Sequence, residues 1–198
     1  MSRWLAIALA FLLLTGCGAP PTVRDSVVLA ASVEKTGRLH FVYRATEMRT
    51  VSSYRYGQGA PVVDTGFDGF GQNLARQAEN AFAARQVAVL SATVLGSKDA
   101  LPVPASTGEA AAPVLLISPV SGTTQANRQS TRTSYVFSAH LMDPQSRRLL
   151  WKATIDTSTW AGQDFVMRNV EKTVYDDKYA LQLLQAIVDK LGEAGLIR

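Results

Sequence analysis

The chain has 198 residues, of which 20 are Lys or Arg and 16 are Asp or Glu, so its net charge is +4. A hydrophobic content of 47% is typical of a globular protein, and the length suits one domain, with or without a tether. The small positive excess does not indicate nucleic-acid binding, which normally requires a clustered basic stripe.

The first residues have the pattern of an export signal. Arg3 gives a short positive start, and an apolar run follows over residues 4–14. As a helix, this run is too short to cross a hydrocarbon core of roughly 30 Å, which takes about 20 apolar residues. The pattern therefore predicts a cleaved signal peptide over residues 1–16.

The signal ends in Leu14, Thr15, Gly16 and Cys17. This tetrapeptide resembles the lipobox of bacterial lipoproteins, in which a leucine and two small residues precede an invariant cysteine. The resemblance implies a diacylglycerol on the Cys17 thiol, cleavage just before it and acylation of the new amine by a fatty acid such as palmitate. The alternative is an unmodified cysteine, but Cys17 is the only one in the chain and cannot form an internal disulfide.

The residue after Cys17 bears on where such a lipoprotein resides. In enteric lipoproteins an aspartate there favours retention in the inner membrane, and this chain has Gly18 instead. The resemblance therefore implies a lipid anchor in the outer membrane, on its periplasmic side. Small and Pro-containing sequence then predicts a lipidated tether over residues 17–25, followed by a periplasmic domain over residues 26–198.

The first half of the domain alternates between strand and helix patterns. Residues 26–33 are rich in β-branched side chains, and residues 39–44 alternate between two sets of side chains, so both predict strands. Residues 48–56 are ambiguous between strand and helix. Apolar residues at helical spacing predict a helix over residues 68–85, and residues 87–95 predict a third strand.

The middle of the domain contains a long stretch of low complexity. Residues 96–112 predict a mobile surface loop. The continuous apolar run at residues 113–120 predicts a strand covered on both faces, and residues 121–132 predict a polar loop.

An antiparallel hairpin follows. Residues 134–141 and 149–156 alternate apolar and polar side chains, and residues 143–146 have the composition of a turn with Pro144 at its second position. Trp151 lies on the apolar side. A last helix is predicted over residues 175–194, so the fold class is α/β (α+β): one domain whose mixed, mostly antiparallel sheet carries two main helices on one face.

Catalytic and metal-binding motifs are weak in this sequence. The only histidines are His40 and His140, both on predicted strands, and neither has a second metal ligand nearby in the sequence. No G-x-S-x-G motif is present, and Asp176 and Asp177 suit the positive end of the last helix. We therefore expect no enzyme activity, no metal and no cofactor.

The hairpin sequence over residues 139–153 has a further resemblance. An apolar strand ends in Asp143, basic residues follow in the turn, and Trp151 precedes Lys152 on the returning strand. It resembles the α/β domains of the curli-secretion lipoprotein, the TolB amino-terminal domain and the activators of peptidoglycan synthases. The resemblance implies an interaction domain and carries no catalytic residues.

The sequence thus predicts a non-enzymatic binding or scaffolding lipoprotein of a cell-envelope complex, with membrane contact through Cys17 and an envelope protein as partner. The candidate partner-binding residues flank the hairpin: Arg128, Arg132, Trp160 and Phe165. Two alternatives stay open, namely a carrier or sensor of an apolar or envelope-derived ligand and, more distantly, an envelope hydrolase.

Overall fold

The computed structural model describes residues 20–30, 34–46, 48–54, 57–58, 62–64, 68–101, 112–126, 131–160 and 177–198. The elements in chain order are β1 (Thr22–Val28), β2 (Arg38–Arg44), β3 (Met48–Tyr54), β4 (Gly57–Gln58), β5 (Val62–Asp64), α1 (Asp68–Ala83), β6 (Ala88–Leu95), β7 (Val114–Ala126), β8 (Thr131–Met142), β9 (Leu149–Asp156), a 3₁₀ turn (Ser158–Trp160) and α2 (Asp177–Glu193).

The sheet is mixed. Its main path runs β1-β9-β8-β7-β2-β6, and β3, with the short β4 and β5 beside it, pairs with the far end of β7. The pairs β1–β9, β9–β8 and β8–β7 are antiparallel, whereas β2 is parallel to both β7 and β6. The predicted α+β class with a mostly antiparallel sheet is confirmed.

Both helices pack on one face of this sheet, as predicted. Alternate side chains of the central strands point toward the helices and are fully buried, among them Phe41, Phe137 and Trp151. The helices contribute Leu74 and Phe82 from α1 and the buried stripe of α2, which is Tyr179, Ala180, Leu183, Leu184, Ile187, Val188 and Leu191. Burial of these apolar surfaces supplies the main favourable free energy of folding.

The β8–β9 hairpin has the predicted register. Ala139 pairs with Ala153, and Leu141 pairs with Trp151, so the apolar residues of both strands lie on the helix side. The Asp143 carboxylate accepts hydrogen bonds from the backbone N–H groups of Gln145 (3.0 Å) and Ser146 (2.7 Å). These bonds hold the pKa of Asp143 below its ordinary value, with the Ser146 backbone as the largest cause.

Several predicted boundaries are wrong. The strand β1 begins at Thr22, inside the segment predicted to be tether, because residues 22–24 pair with the end of β9. The predicted polar loop at residues 121–132 is mostly strand, since β7 continues to Ala126 and β8 begins at Thr131. The ambiguous segment at residues 48–56 contains β3, which pairs with that extension of β7.

The strand β7 is not covered on both faces along its length, contrary to the prediction. Leu115 and Ile117 are fully buried on the helix side, but Leu116 and Ser118 are only half-buried and Val120 is 57% exposed. The predicted mobile loop at residues 96–112 lies mostly outside the described residues. None of the described helices is long and apolar enough to cross a membrane.

Candidate functional site: the polar face of the sheet

The side of the sheet turned away from the helices carries a group of polar residues, and we call this group the polar face. Pairing across the strands places Ser118, Ser138 and Thr154 in one row and Leu116, His140 and Lys152 in the next. Arg44 lies at the end of the first row, one residue beyond the last pair of β2 with β7. The polar face is defined here by Arg44, Ser118, Ser138, His140, Lys152 and Thr154.

Two clefts lie side by side on this face. One has a volume of about 420 Å³ and is lined by Arg44, Thr46, Ser97, Lys98, Leu116, Ser118, Ser138 and His140. The other has a volume of about 430 Å³ and is lined by Asp25, Val27, Ser138, His140, Lys152, Ala153 and Thr154. Because Ser138 and His140 line both, the two clefts adjoin, with His140 between them.

The surroundings of His140 favour its neutral form. The residue is half-buried, and Lys152 lies directly opposite it on β9. Burial, and then the positive charge of Lys152, lower the pKa of His140 below its ordinary value of 6.5. A neutral imidazole offers one N–H donor and one acceptor to a ligand in the cleft.

The first cleft is bordered by the turn that follows β6. The Arg44 guanidinium donates a hydrogen bond to the Ser97 carbonyl oxygen at 3.2 Å. Thr46 donates its hydroxyl proton to the carbonyl oxygen of Pro119. The first bond holds Arg44 against the turn, and the second joins the residues after β2 to β7. A guanidinium has five N–H donors, so donors remain for a ligand.

The second cleft is bordered by an irregularity in β1. The register of β1 against β9 shifts between Arg24 and Val27, and Asp25 has a φ of 51° there. Aspartate is among the residues that tolerate this left-handed backbone, and such bulges redirect side chains. Arg24, next to the irregularity, forms an ion pair of 3.0 Å with Asp156.

The residues predicted to bind a partner are not part of this surface as described. Arg128 and Phe165 lie outside the described residues, as does the lipidation candidate Cys17. Arg132 pairs with Gln125 near the end of the β7–β8 hairpin, and Trp160 ends the 3₁₀ turn after β9. Both backbones lie at the same end of the sheet, because Thr157 bonds to Tyr135 on β8.

The sequence contains a signal for the polar face that the prediction did not use. Ser138 and His140, like Lys152 and Thr154, occupy the polar positions of the two alternating hairpin strands. Ser118 was missed because it lies within an apolar run, where the pattern does not show which side is covered.

The polar face does not have the geometry of a hydrolase triad. Asp25, Ser138 and His140 line the same cleft, but the Ser138 hydroxyl donates to the Ser118 carbonyl oxygen at 3.4 Å. No hydrogen bond joins Ser138 to His140 in the described structure. Within the same ranges, no three His, Cys, Asp or Glu residues are grouped so that they could hold a metal ion.

No family model matches the chain, and no curated protein matches it. Among solved structures, the chain is similar to the PelC dodecamer of Paraburkholderia phytofirmans, with 14% identity and a TM-score of 0.38 over 90% of this chain and 99% of that one. It is also similar to a DUF330 protein of Xanthomonas campestris, with 16% identity and a TM-score of 0.39 over 89% of this chain and 92% of that one. A third similar structure is a putative neuraminyllactose-binding hemagglutinin homolog of Helicobacter pylori, with 15% identity and a TM-score of 0.40 over 85% of this chain and 91% of that one.

Proposed function

We propose that the protein is a lipid-anchored, non-enzymatic binding component of a cell-envelope complex and that the polar face is its binding surface. The observation that carries this proposal is the pair of adjoining clefts, which share Ser138 and His140. A concave surface with a few convergent polar groups is the usual form of a binding site. The Ser138 hydroxyl donates to the Ser118 carbonyl oxygen at 3.4 Å, a structural role that favours binding over hydrolysis.

The anchor is supported by the sequence Leu14-Thr15-Gly16-Cys17, and the position of β1 limits how far the domain could lie from it. Only five residue steps separate Cys17 from Thr22, the first residue of the sheet. At about 3.3–3.6 Å per residue, this segment reaches at most ~18 Å. A lipid on Cys17 would therefore hold the domain close to the outer membrane.

With so short a segment after the lipid, the end of the domain beside Pro20 would lie toward the membrane. The Thr159 hydroxyl donates to the Pro20 carbonyl oxygen at 3.0 Å, so the start of the domain lies beside the 3₁₀ turn. The backbones of Trp160 and Arg132 lie at this same end, which makes these two residues candidates for contact with a partner at the membrane.

The anchor is tested by labelling cells with radioactive palmitate. The wild-type protein should incorporate the label and fractionate with the outer membrane. Cys17→Ser should abolish labelling and leave an uncleaved or mislocalised precursor. Failure of the wild-type protein to incorporate the label would contradict the anchor.

The binding surface is tested by photocrosslinking in cells. A photoreactive amino acid at Thr154 probes the polar face, one at Trp160 probes the membrane-proximal end, and one at Gln185 on the exposed side of α2 is the matched control. We expect specific adducts from Thr154 and none from Gln185. Adducts from Trp160 alone would move the binding surface to the end of the sheet, and a pattern equal at all three positions would refute a defined surface.

The hydrolase alternative has a direct test. Binding should persist in Ser138→Ala, because that hydroxyl contributes at most one of many contacts. The variants Ser138→Ala and His140→Ala are scored in cells by envelope integrity. Loss of envelope integrity in a folded, correctly lipidated variant that keeps all its crosslinks would favour a hydrolase.

A further inference from the structure

The strand β1 forms one edge of the sheet. Among the described strands it pairs only with β9, so no described strand lies along its other side. The Leu29 N–H donates to the Leu150 carbonyl oxygen at 2.9 Å, and the preceding residue, Val28, lies opposite Trp151. Because bonded and non-bonded pairs alternate in an antiparallel ladder, the N–H and C=O groups of Val28 point away from β9. They are therefore directed toward the open side of the sheet.

Only the first half of β1 has features that protect an edge strand from pairing. These are the charged residues Arg24 and Asp25 and the irregularity between Arg24 and Val27, where Asp25 has a φ of 51°. Charges and bulges are devices by which proteins prevent pairing at an edge. The second half consists of Val27 and Val28, followed by Leu29, and these side chains are 41%, 44% and 45% exposed. These three residues carry no charge, so another strand could pair with them.

The exposed apolar side chains of this second half lie on both sides of the sheet. Val27 pairs with Lys152 and lines the second cleft, whereas Val28 pairs with the buried Trp151 and lies on the helix side. A flat surface covers only one side of an edge. An added strand covers both, because its own side chains alternate between the two faces. The arrangement therefore favours a strand as the occupant of this edge.

The distance from the anchor favours a protein strand over the membrane. Val28 is six residues beyond Thr22, which is about 20 Å along a strand at ~3.3 Å per residue. With the Pro20 end toward the membrane, the second half of β1 would lie at the far end of the strand. This step rests on the proposed anchor, whereas the shape and exposure of the edge do not.

The charge beside the edge indicates what kind of strand would fit. Arg147 and Arg148 are exposed in the turn before β9, next to the end of β1. Asp143 is the acidic residue of that turn, and its carboxylate is bonded to the backbone of the turn. In the second cleft, Asp25 balances Lys152. Two arginines against one aspartate leave the turn positive, which complements a carboxylate on an added strand.

We propose that residues 27–29 of β1 bind an extended segment of a partner protein as an added strand, with apolar side chains on its faces and a carboxylate beside Arg147 and Arg148. The edge is a second interaction surface of the domain, beyond the polar face. Backbone hydrogen bonds to Val28 would supply affinity, and the apolar and charged contacts would supply specificity.

The test uses the purified full chain in a non-ionic detergent and a fluorescent synthetic peptide whose binding is followed by anisotropy. The peptide alternates valine and threonine, has a glutamate at each end and is blocked at both termini. We expect saturable binding that is about tenfold weaker in Val28→Lys, the loss of about one hydrogen bond. Leu90→Lys is the matched control, because Leu90 is 42% exposed on β6, the strand at the other end of the main path of the sheet. It should bind like wild type, and both variants should keep the wild-type unfolding midpoint.

Modified peptides test strand pairing without altering the protein. In a strand, alternate backbone N–H groups point to opposite edges, and only one edge can face β1. Of two peptides methylated on the two alternate sets of amide nitrogens, one should lose binding and the other should keep it. A peptide with lysine in place of both glutamates should bind about tenfold more weakly, because it faces the positive turn.

Four results would overturn the proposal: no saturable binding, equal weakening in Val28→Lys and Leu90→Lys, the same effect from both methylation patterns, or equal binding of the lysine peptide. Self-association that Val28→Lys abolishes would show a second copy as the occupant, and a lipid adduct from a photoreactive residue at Val28 would show the membrane. Both would also contradict a partner strand. Because Val28 lies on the helix side, the Thr154 crosslinks test the polar face separately.

Discussion

Trp151 is the side chain on which the packing between sheet and helices depends most. It is 0% exposed and is the largest fully buried residue of the described core. It lies on β9, on the side of the sheet that faces the helices. Its indole N–H also donates to the Ser26 hydroxyl on β1 at 3.0 Å. Trp151→Ala therefore removes both core volume and a contact between β9 and the strand beside it.

The expected loss can be worked out from these two parts. Emptying a large aromatic site costs about 3–5 kcal/mol, and the lost hydrogen bond adds roughly 1 kcal/mol. A domain of this size is typically stable by about 5–15 kcal/mol, so the variant should lose a large fraction of its stability. At about 2–4 °C per kcal/mol, a loss of about 4–6 kcal/mol should lower the midpoint of thermal unfolding by at least ~8 °C.

Urea denaturation followed by circular dichroism measures this loss, with two matched variants. Ser26→Ala removes only the acceptor and should cost about 0.5–1.5 kcal/mol. Lys152→Ala changes the next residue on the exposed side of the same strand and should stay within about 0.5 kcal/mol of wild type. If Trp151→Ala and Lys152→Ala unfolded at the same urea concentration, the hairpin register and the side of the sheet assigned to Trp151 would be refuted.

Three further predictions concern single sites. Gly71→Ala should destabilise the protein by about 1–3 kcal/mol in the same assay, because an added Cβ would lie 2.3 Å from Tyr43; a neutral result would contradict this packing of α1 on β2. Thr157→Val should lower the free energy of unfolding by about 1–3 kcal/mol, since the buried hydroxyl accepts from the Tyr135 N–H (2.9 Å) and donates to the Tyr135 carbonyl oxygen (3.0 Å). Equal unfolding midpoints for this variant and the wild type would exclude that role. The lowered pKa of His140 means that the folded state binds fewer protons than the unfolded state, so stability should fall as pH drops through about 6.5 and level off below the folded pKa. His140→Gln should lose less stability between about pH 7.5 and about pH 5.5, and an unchanged pH profile would refute the assigned shift.

The fold was largely predictable where one side of an element faces the core. The hairpin and α2 show clean periodicities, because their apolar residues pack on one side and polar residues face away. The errors fall where this contrast is weak. Residues 121–126 are small and polar, yet they form the extension of β7 because β3 and β8 pair with them on either side. Such pairing satisfies backbone groups regardless of side-chain polarity, and a local pattern cannot reveal it.

The candidate site was less predictable than the fold. Ser138 and Thr154 could be placed on one side of the hairpin by alternation, but Arg44 and Lys98 come from distant elements that only the parallel pairing of β2 with β6 and β7 brings together. Asp25 lines the second cleft where the register of β1 is irregular, a feature without a clear sequence signature. The predicted partner residues Arg128, Arg132, Trp160 and Phe165 remain predictions.

The position of β1 determines how the domain would respond to mechanical force. With a lipid on Cys17, any pull between membrane and domain enters at Thr22 and runs along β1. Antiparallel hydrogen bonds lie perpendicular to the strands, so such a pull loads the β1–β9 bonds together in shear instead of opening them one by one. The irregularity after Arg24 divides these bonds into two groups, and the Trp151–Ser26 bond falls within this strand pair. If β1 slipped free, β9 would become an unpaired edge able to accept a strand from another chain.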